Sequence, residues 1–126
     1  MSEGRNLKEK INMNALSDFV VENGILTKYN GEGGDVTIPE GVTELARGVF
    51  SWSESIKSIA LPNGVERIGE CAFHECKNLE SVSIPDTVIS IGKDAFAYCK
   101  NLTIHVPSDS YAAHYAKGNN ISFVVI

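Results

Sequence analysis

The chain has 126 residues, a formal net charge of −5 and an apolar fraction of 43%. This length suits one domain with a core of its own, and the composition is that of an ordinary globular protein. The negative balance disfavours nucleic acid and anionic membrane surfaces as partners, because both require basic faces. The sequence has no run of about 18 apolar residues, so it predicts no membrane insertion.

Residues 1–18 are predicted to be a tail or a short helix outside the main domain. A helix over 6–16 would begin at a capping pair, Asn6 and Glu9, and carry only a sparse apolar side. A mobile tail is the alternative. The first 20 residues lack an apolar signal-peptide core, so the chain as written is expected in the cytoplasm. A domain excised from a secreted or cell-surface protein would look the same.

The main domain is predicted to span 19–126 and to open with a hairpin. Residues 19–29, FVVENGILTKY, place Asn23-Gly24 between two apolar runs. Asn-Gly in this setting is the strongest short-range signal for a β-hairpin. We therefore expect a hairpin cap over 19–35, in which the glycine-rich residues 31–35 form a flexible connection to the rest of the domain.

An internal repeat occupies residues 36–107. The stretch IGECAFHECKNL at 68–79 returns as IGKDAFAYCKNL at 91–102, and prolines fall at 39, 62, 85 and 107, in steps of 23, 23 and 22 residues. Aligned on the prolines, the apolar residues form columns, of which one is Phe50, Phe73 and Phe96. The polar residues between the columns vary. This pattern predicts a solenoid, because a unit of this length buries its apolar side only by stacking on the next unit.

Each coil of the solenoid has two predicted parts. The three residues before each proline follow the pattern apolar–x–apolar, whose inward and outward alternation with period two indicates a short strand. Equivalent strands one coil apart must then run parallel. The stretches around Ala72-Phe73 and Ala95-Phe96 predict a short helical turn with the phenylalanine pointing into the core.

Residues 108–126 are predicted to form a C-terminal cap. Ser108 or Ser110 can begin a helix that runs through YAAHYAK, Gly118 suits its end, and ISFVVI supplies a last strand. Caps are expected because an open solenoid exposes apolar edges and unpaired backbone groups at both ends.

The full pattern, L-x-x-V-x-I-P-x-x-V-x-x-I-G-x-x-A-F-x-x-C-x-x-L, resembles the BspA-like class of leucine-rich repeats. The second and third repeats follow it closely, whereas the first has Ala46, Val49 and Ser53 in place of the glycine, alanine and cysteine. The resemblance implies an α/β fold: a short leucine-rich-repeat solenoid with parallel strands, an N-terminal β-hairpin cap and a C-terminal helix–strand cap. It also implies a bacterial, surface-exposed or adhesive protein whose family has no shared catalytic residues.

The three cysteines allow more than one chemistry. Cys76 and Cys99 share a column one coil apart, within the Cα range of a disulfide, but their side chains should point in parallel into the core. We expect free core thiols, with a disulfide as the alternative. Cys71, His74 and Cys76 do not predict a zinc site, because Cys71 and His74 occupy outward positions and Cys76 an inward one. The sequence therefore predicts neither a metal nor a cofactor.

Signatures of catalysis are missing from the sequence. It contains no G-x-S-x-G elbow, no phosphate-binding loop and no dinucleotide fingerprint after a strand. The stretch GEGG at 31–34 is too short and too acidic to cradle a phosphate. We therefore expect no enzymatic activity.

The outward positions remain as candidates for binding a partner. Trp52 belongs to a loop column outside the apolar frame, and Trp and Tyr anchor interfaces more than other types. The alternative is that Trp52 fills space left by the irregular first repeat. The outward positions of the strands supply small polar residues and a histidine. The candidate protein-binding residues are Trp52, Tyr98, His105, Ser83 and Ser81.

The predicted function is protein–protein interaction by a non-catalytic leucine-rich-repeat domain. The partner is another protein, because the outward residues carry no metal set, no nucleophile–base pair and no basic track. The alternative is a structural spacer or a homo-oligomer building block, such as an excised part of a cell-surface adhesin.

Overall fold

The computed structural model describes residues 16–126. The helix expected over 6–16 and the tail expected over 1–18 lie almost wholly outside the described residues. At the start of the described part, Leu16–Asp18 form a single 3-10 turn. The α-helix of this part, α1, spans Tyr111–Gly118.

Two five-stranded sheets account for the strands of the described residues. Sheet A contains, in spatial order, β1 (Phe19–Glu22), β2 (Ile25–Tyr29), β4 (Glu44–Leu45), β6 (Arg67–Ile68) and β8 (Ser90–Ile91). Sheet B contains β3 (Gly34–Thr37), β5 (Ile56–Ala60), β7 (Ser81–Ser83), β9 (Thr103–Val106) and β10 (Ser122–Val125). Each coil of the chain adds one strand to each sheet, so the two sheets form two sides of a solenoid.

Each repeat of the sequence forms one coil of the solenoid. In sheet B, Val36 pairs with Ile59, Ile59 with Val82, and Val82 with Ile104, all in parallel register. These pairs join residues that occupy the same place before successive prolines. The predicted parallel-stranded solenoid is therefore confirmed, and the strand spacing of about 4.8 Å fixes the rise from coil to coil.

A third side of the solenoid, the turn face, consists of residues 48–52, 71–75 and 94–98. We expected a short helical turn here, but the chain forms consecutive tight turns instead. The N–H of Ala72 donates to the carbonyl of Gly69, and the N–H of His74 to that of Cys71. Cys71 and Glu75 have φ of 57° and 58°, and this left-handed conformation interrupts a right-handed helix every four residues.

The core runs along the solenoid axis as stacked columns. Phe50, Phe73 and Phe96 are buried and stack in order, with ring centroids 5.3 and 5.2 Å apart. Tyr29 from the hairpin covers Phe50 at 5.5 Å, and Tyr115 from α1 covers Phe96 at 6.4 Å. Both caps therefore end the aromatic column with a tyrosine whose ring completes the core.

The two caps form as the sequence predicts, except that Gly34 and Asp35 belong to β3 and not to the flexible connection expected over 31–35. β1 and β2 pair antiparallel around Asn23 and Gly24, whose φ values of 54° and 81° suit a tight hairpin turn. Ser110 begins α1, since its hydroxyl accepts a hydrogen bond of 3.1 Å from the N–H of Ala113. The left-handed residue after the helix is Asn120, with φ of 58°, rather than Gly118.

None of the helices found in residues 16–126 is long and apolar enough to cross a membrane.

Candidate functional site

Trp52, Glu75 and Tyr98 occupy the same place in three successive coils of the turn face. All three have a left-handed backbone, with φ of 67°, 58° and 64°. Trp52 is 63% exposed and Tyr98 64% exposed. Trp52 therefore does not fill space in the core, and both large rings project from the surface.

His74 lies between these two rings and joins them into one surface. Its ring centroid is 5.6 Å from that of Trp52, with planes at 58°, and 5.5 Å from that of Tyr98, with planes at 80°. We call Trp52, His74 and Tyr98 the aromatic ladder. The edge-to-face contact of His74 and Tyr98 is one of the arrangements that aromatic pairs prefer.

The part of His74 in this surface was not predicted from the sequence. The column frame aligns Trp52 and Tyr98 with Glu75, so His74 was weighed only as a metal ligand. A signal was nevertheless present in the sequence. When the coils are aligned, Trp52 in the coil before and Tyr98 in the coil after each lie one position away from His74. Within residues 16–126, no group of three or more His, Cys, Asp or Glu side chains is placed to hold a metal ion.

Charged side chains accompany the aromatic ladder. Lys77 follows His74 and lies with its Nζ 3.9 Å from Oε2 of Glu54, which follows Trp52. Both side chains are exposed, so the pair contributes little to stability. Asn78 closes the same loop by donating from Nδ2 to the carbonyl of Glu54 at 2.7 Å.

The other predicted site residues lie on sheet B. Ser83 of β7 pairs with His105 of β9, and Ser81 pairs with Thr103. The side chains of Ser81, Ser83 and His105 are partly exposed on the outer face of the sheet. In the described part of the chain, no hydrogen bond or ring contact joins this strand face to the aromatic ladder. The five predicted residues therefore form two separate groups.

All three cysteines are free thiols. Cys76 is buried and donates from Sγ to the carbonyl of Phe50 at 3.1 Å, while Cys99 donates to the carbonyl of Phe73 at 2.9 Å. The neighbouring thiol of Cys99 and burial both raise the pKa of Cys76. Cys99 was expected in the core but is only half-buried, because no further coil of the turn face covers the third one.

The chain matches the sequence model of the BspA type leucine rich repeat region, in six copies, over residues 29–116. A similar solved structure is that of a leucine rich cell surface protein from Faecalibacterium prausnitzii A2-165. The two chains are 29% identical and superpose with a TM-score of 0.61. The superposition covers 68% of this chain and 27% of the chain of that protein. No curated protein matches the chain.

Proposed function

The chain belongs to the BspA-type leucine-rich repeat family, and we propose that it is a non-catalytic module that binds another protein through the aromatic ladder. Trp52 and Tyr98 supply the anchoring side chains. The strand face, with Ser81, Ser83 and His105, is a secondary contact region. Its small side chains admit a close partner but offer few anchors of their own.

This proposal rests on the residue types at two positions with a left-handed backbone, 52 and 98. A non-glycine residue in this conformation is strained by about 1–3 kcal/mol. The solenoid places small or polar residues at the other left-handed positions of the turn face, namely Gly48, Cys71, Glu75 and Asp94. At 52 and 98 it carries the two most anchoring residue types, with most of each ring in solvent. Folding alone gains little from this choice.

The backbone beneath the ladder is preorganised for binding. The N–H of Trp52 donates to the carbonyl of His74 at 2.7 Å, and the N–H of Glu75 to that of Ala97 at 2.8 Å. These bonds tie three coils together directly under the rings. A partner therefore meets aromatic anchors that are already positioned, which lowers the entropic cost of association.

The likeness to a cell surface protein supports a further part of this proposal. Because this chain spans 27% of that protein's length, we propose that it works as one module of a larger cell-surface assembly. The competing function is a spacer or a homo-oligomer building block, in which the flat strand face would pair with its own copy.

Site-specific photo-crosslinking tests the proposal. A benzophenone amino acid replaces Tyr98 in one variant and Ile89 in the control, because Ile89 is 62% exposed and lies outside the ladder. The crosslinked products from host-cell extract or host-cell surfaces are identified by mass spectrometry. The proposal requires a specific protein adduct at position 98 and none at 89. An adduct of the chain with itself at position 98 would overturn the proposal in favour of self-association through the ladder.

A further inference from the structure

The main chain of the turn face forms a hydrogen-bonded ladder of its own. From the first coil, the N–H groups of Gly48, Phe50 and Trp52 donate to the carbonyls of Glu70, Ala72 and His74 at 2.9, 2.8 and 2.7 Å. From the second coil, the N–H groups of Cys71, Phe73 and Glu75 donate to the carbonyls of Lys93, Ala95 and Ala97 at 3.0, 2.8 and 2.8 Å. Alternate N–H groups of each coil thus point toward the C-terminal end of the solenoid.

In the third coil this ladder stops. The equivalent N–H groups belong to Asp94, Phe96 and Tyr98, and none of them has an acceptor within residues 16–126. A row of unpaired backbone donors at the edge of a hydrogen-bonded array is a template for pairing with another chain.

These three residues line one wall of a groove of about 450 Å³, which we call the end groove. The groove is also lined by Tyr115 of α1, by the link to β10 and by Ser122, the first residue of β10. The volume lies within the range of natural ligand sites. Cys99 and Lys100 also line the groove, and Lys100 adds a positive charge.

We propose that the end groove binds a peptide segment of a partner protein, which continues the turn-face ladder by one coil. The segment presents carbonyl oxygens of alternate residues to the N–H groups of Asp94, Phe96 and Tyr98. A single anion does not fit this pattern, because in the inner coils each N–H group meets a different carbonyl. Main-chain bonds give the affinity and the groove walls give the selectivity.

The depth of the groove selects a slender occupant. Sheet B continues past β9, the strand that directly follows the third turn of the turn face, by one further strand, β10. The unpaired N–H groups are therefore recessed by one strand spacing, about 4.8 Å. A second folded copy stacked on the end of the solenoid would rest on β10 and not reach them, whereas a single peptide segment does.

The inner coils define the chemistry of the segment. Residues 92–99 occupy the corresponding place above the second coil and begin with Gly92. A Cβ on Gly92 would lie 2.5 Å from the backbone nitrogen of Glu70, so this close approach requires glycine. At the phenylalanine position the segment needs a small residue, because Tyr115 already covers Phe96. A hydroxyl or thiol in the place of Cys99 can donate to the carbonyl of Phe96, as Cys99 does to that of Phe73.

This site is distinct from the one under the proposed function. The end groove uses the main-chain N–H of Tyr98, whereas the aromatic ladder uses its ring. Loss of the Trp52 side chain therefore impairs the ladder and leaves the end groove intact, so the two proposals fail separately.

Amide NMR of the full chain tests the proposal with a synthetic probe, acetyl-Gly-Lys-Asp-Ala-Ala-Ala-Tyr-Ser-amide. In the free protein, the amides of Asp94, Phe96 and Tyr98 should exchange with solvent quickly, while those of Phe73 and Glu75 are protected. At about 1 mM probe, the three free amides should shift and gain protection. A control peptide with valine in place of the first glycine should bind about tenfold more weakly, because its side chain collides with the backbone.

Two matched variants locate the binding. Ser122→Phe places a ring in the groove from an exposed strand position, and Ser90→Phe makes the same change on an exposed strand position of sheet A. Ser122→Phe should abolish probe binding, whereas Ser90→Phe and Trp52→Ala should keep it. Protection of the three amides without probe would overturn the proposal, as would equal binding of both peptides. Equal shifts with inorganic phosphate alone would make the groove an anion site and also overturn it.

Discussion

The rings of Phe73 and Phe96 stack nearly parallel, with centroids 5.2 Å apart and planes at 3°. Phe73 is fully buried between the rings of the coils on either side. Phe73→Ala removes the middle of this column and leaves a cavity that the neighbouring coils cannot close. We expect a loss of about 3–5 kcal/mol in the free energy of unfolding, measured by urea titration.

Ile89→Ala is the control for this substitution, since Ile89 is a large apolar residue that is 62% exposed. It should change the free energy of unfolding by less than about 0.5 kcal/mol. A loss below about 1 kcal/mol for Phe73→Ala would show that the ring column does not hold the coils together.

A second prediction concerns the close approach of consecutive coils at Gly92. A Cβ there would lie 2.5 Å from the nitrogen and 2.8 Å from the Cα of Glu70, both backbone atoms that cannot move aside freely. Gly92→Ala should therefore destabilise the chain by about 1–3 kcal/mol. Gly118→Ala is the matched control, because a Cβ at Gly118 meets nothing within 4 Å and alanine suits the end of α1. Thermal melts in which both variants behave alike would contradict this account.

A third prediction concerns the order in which the thiols react. Cys76 is buried, and its pKa is raised by the thiol of Cys99 and by burial, so little thiolate forms at neutral pH. Cys71 and Cys99 are partly exposed. Brief alkylation of the folded chain should therefore label Cys71 and Cys99 before Cys76, as read by peptide mass mapping. Early labelling of Cys76, or a mass lower by two hydrogen atoms than that of the reduced chain, would be inconsistent with the buried free thiol.

The repeat was predictable from the sequence because packing constrains which residues can occupy its apolar columns. Val36, Ile59, Val82 and Ile104 are buried in register, and every one of them could be placed by counting from a proline. The hairpin around Asn23-Gly24 was equally accessible, since its turn chemistry is local. Both depend on short-range rules that a single sequence carries.

The turn face was less predictable for a physical reason. Its direction depends on left-handed residues such as Cys71 and Tyr98, which are neither glycine nor asparagine and give no local signal. The tight turns that result bring His74 against Trp52 and Tyr98, a contact between three coils that column counting does not reveal. The half-burial of Cys99 was missed because the turn face ends one coil before sheet B does.

A fourth prediction separates binding from folding at the aromatic ladder. Trp52→Gly and Tyr98→Gly each remove an exposed ring and relieve a left-handed strain of about 1–3 kcal/mol, while they lose ring contacts worth about 0.5–1.5 kcal/mol. The free energy of unfolding should therefore stay the same or rise in urea titrations. A marked loss of stability in either variant would show that the rings serve the fold.

The most direct test of the proposed function is the affinity of the partner, the protein that crosslinks at position 98, for the unchanged chain and its variants. Titration calorimetry should give weaker binding by about 1–3 kcal/mol for Trp52→Ala and for Tyr98→Ala, as expected for anchoring aromatics. Ile89→Ala should bind as the unchanged chain does. Full affinity in a folded Trp52→Ala/Tyr98→Ala double variant would contradict the claim that the aromatic ladder is the binding surface.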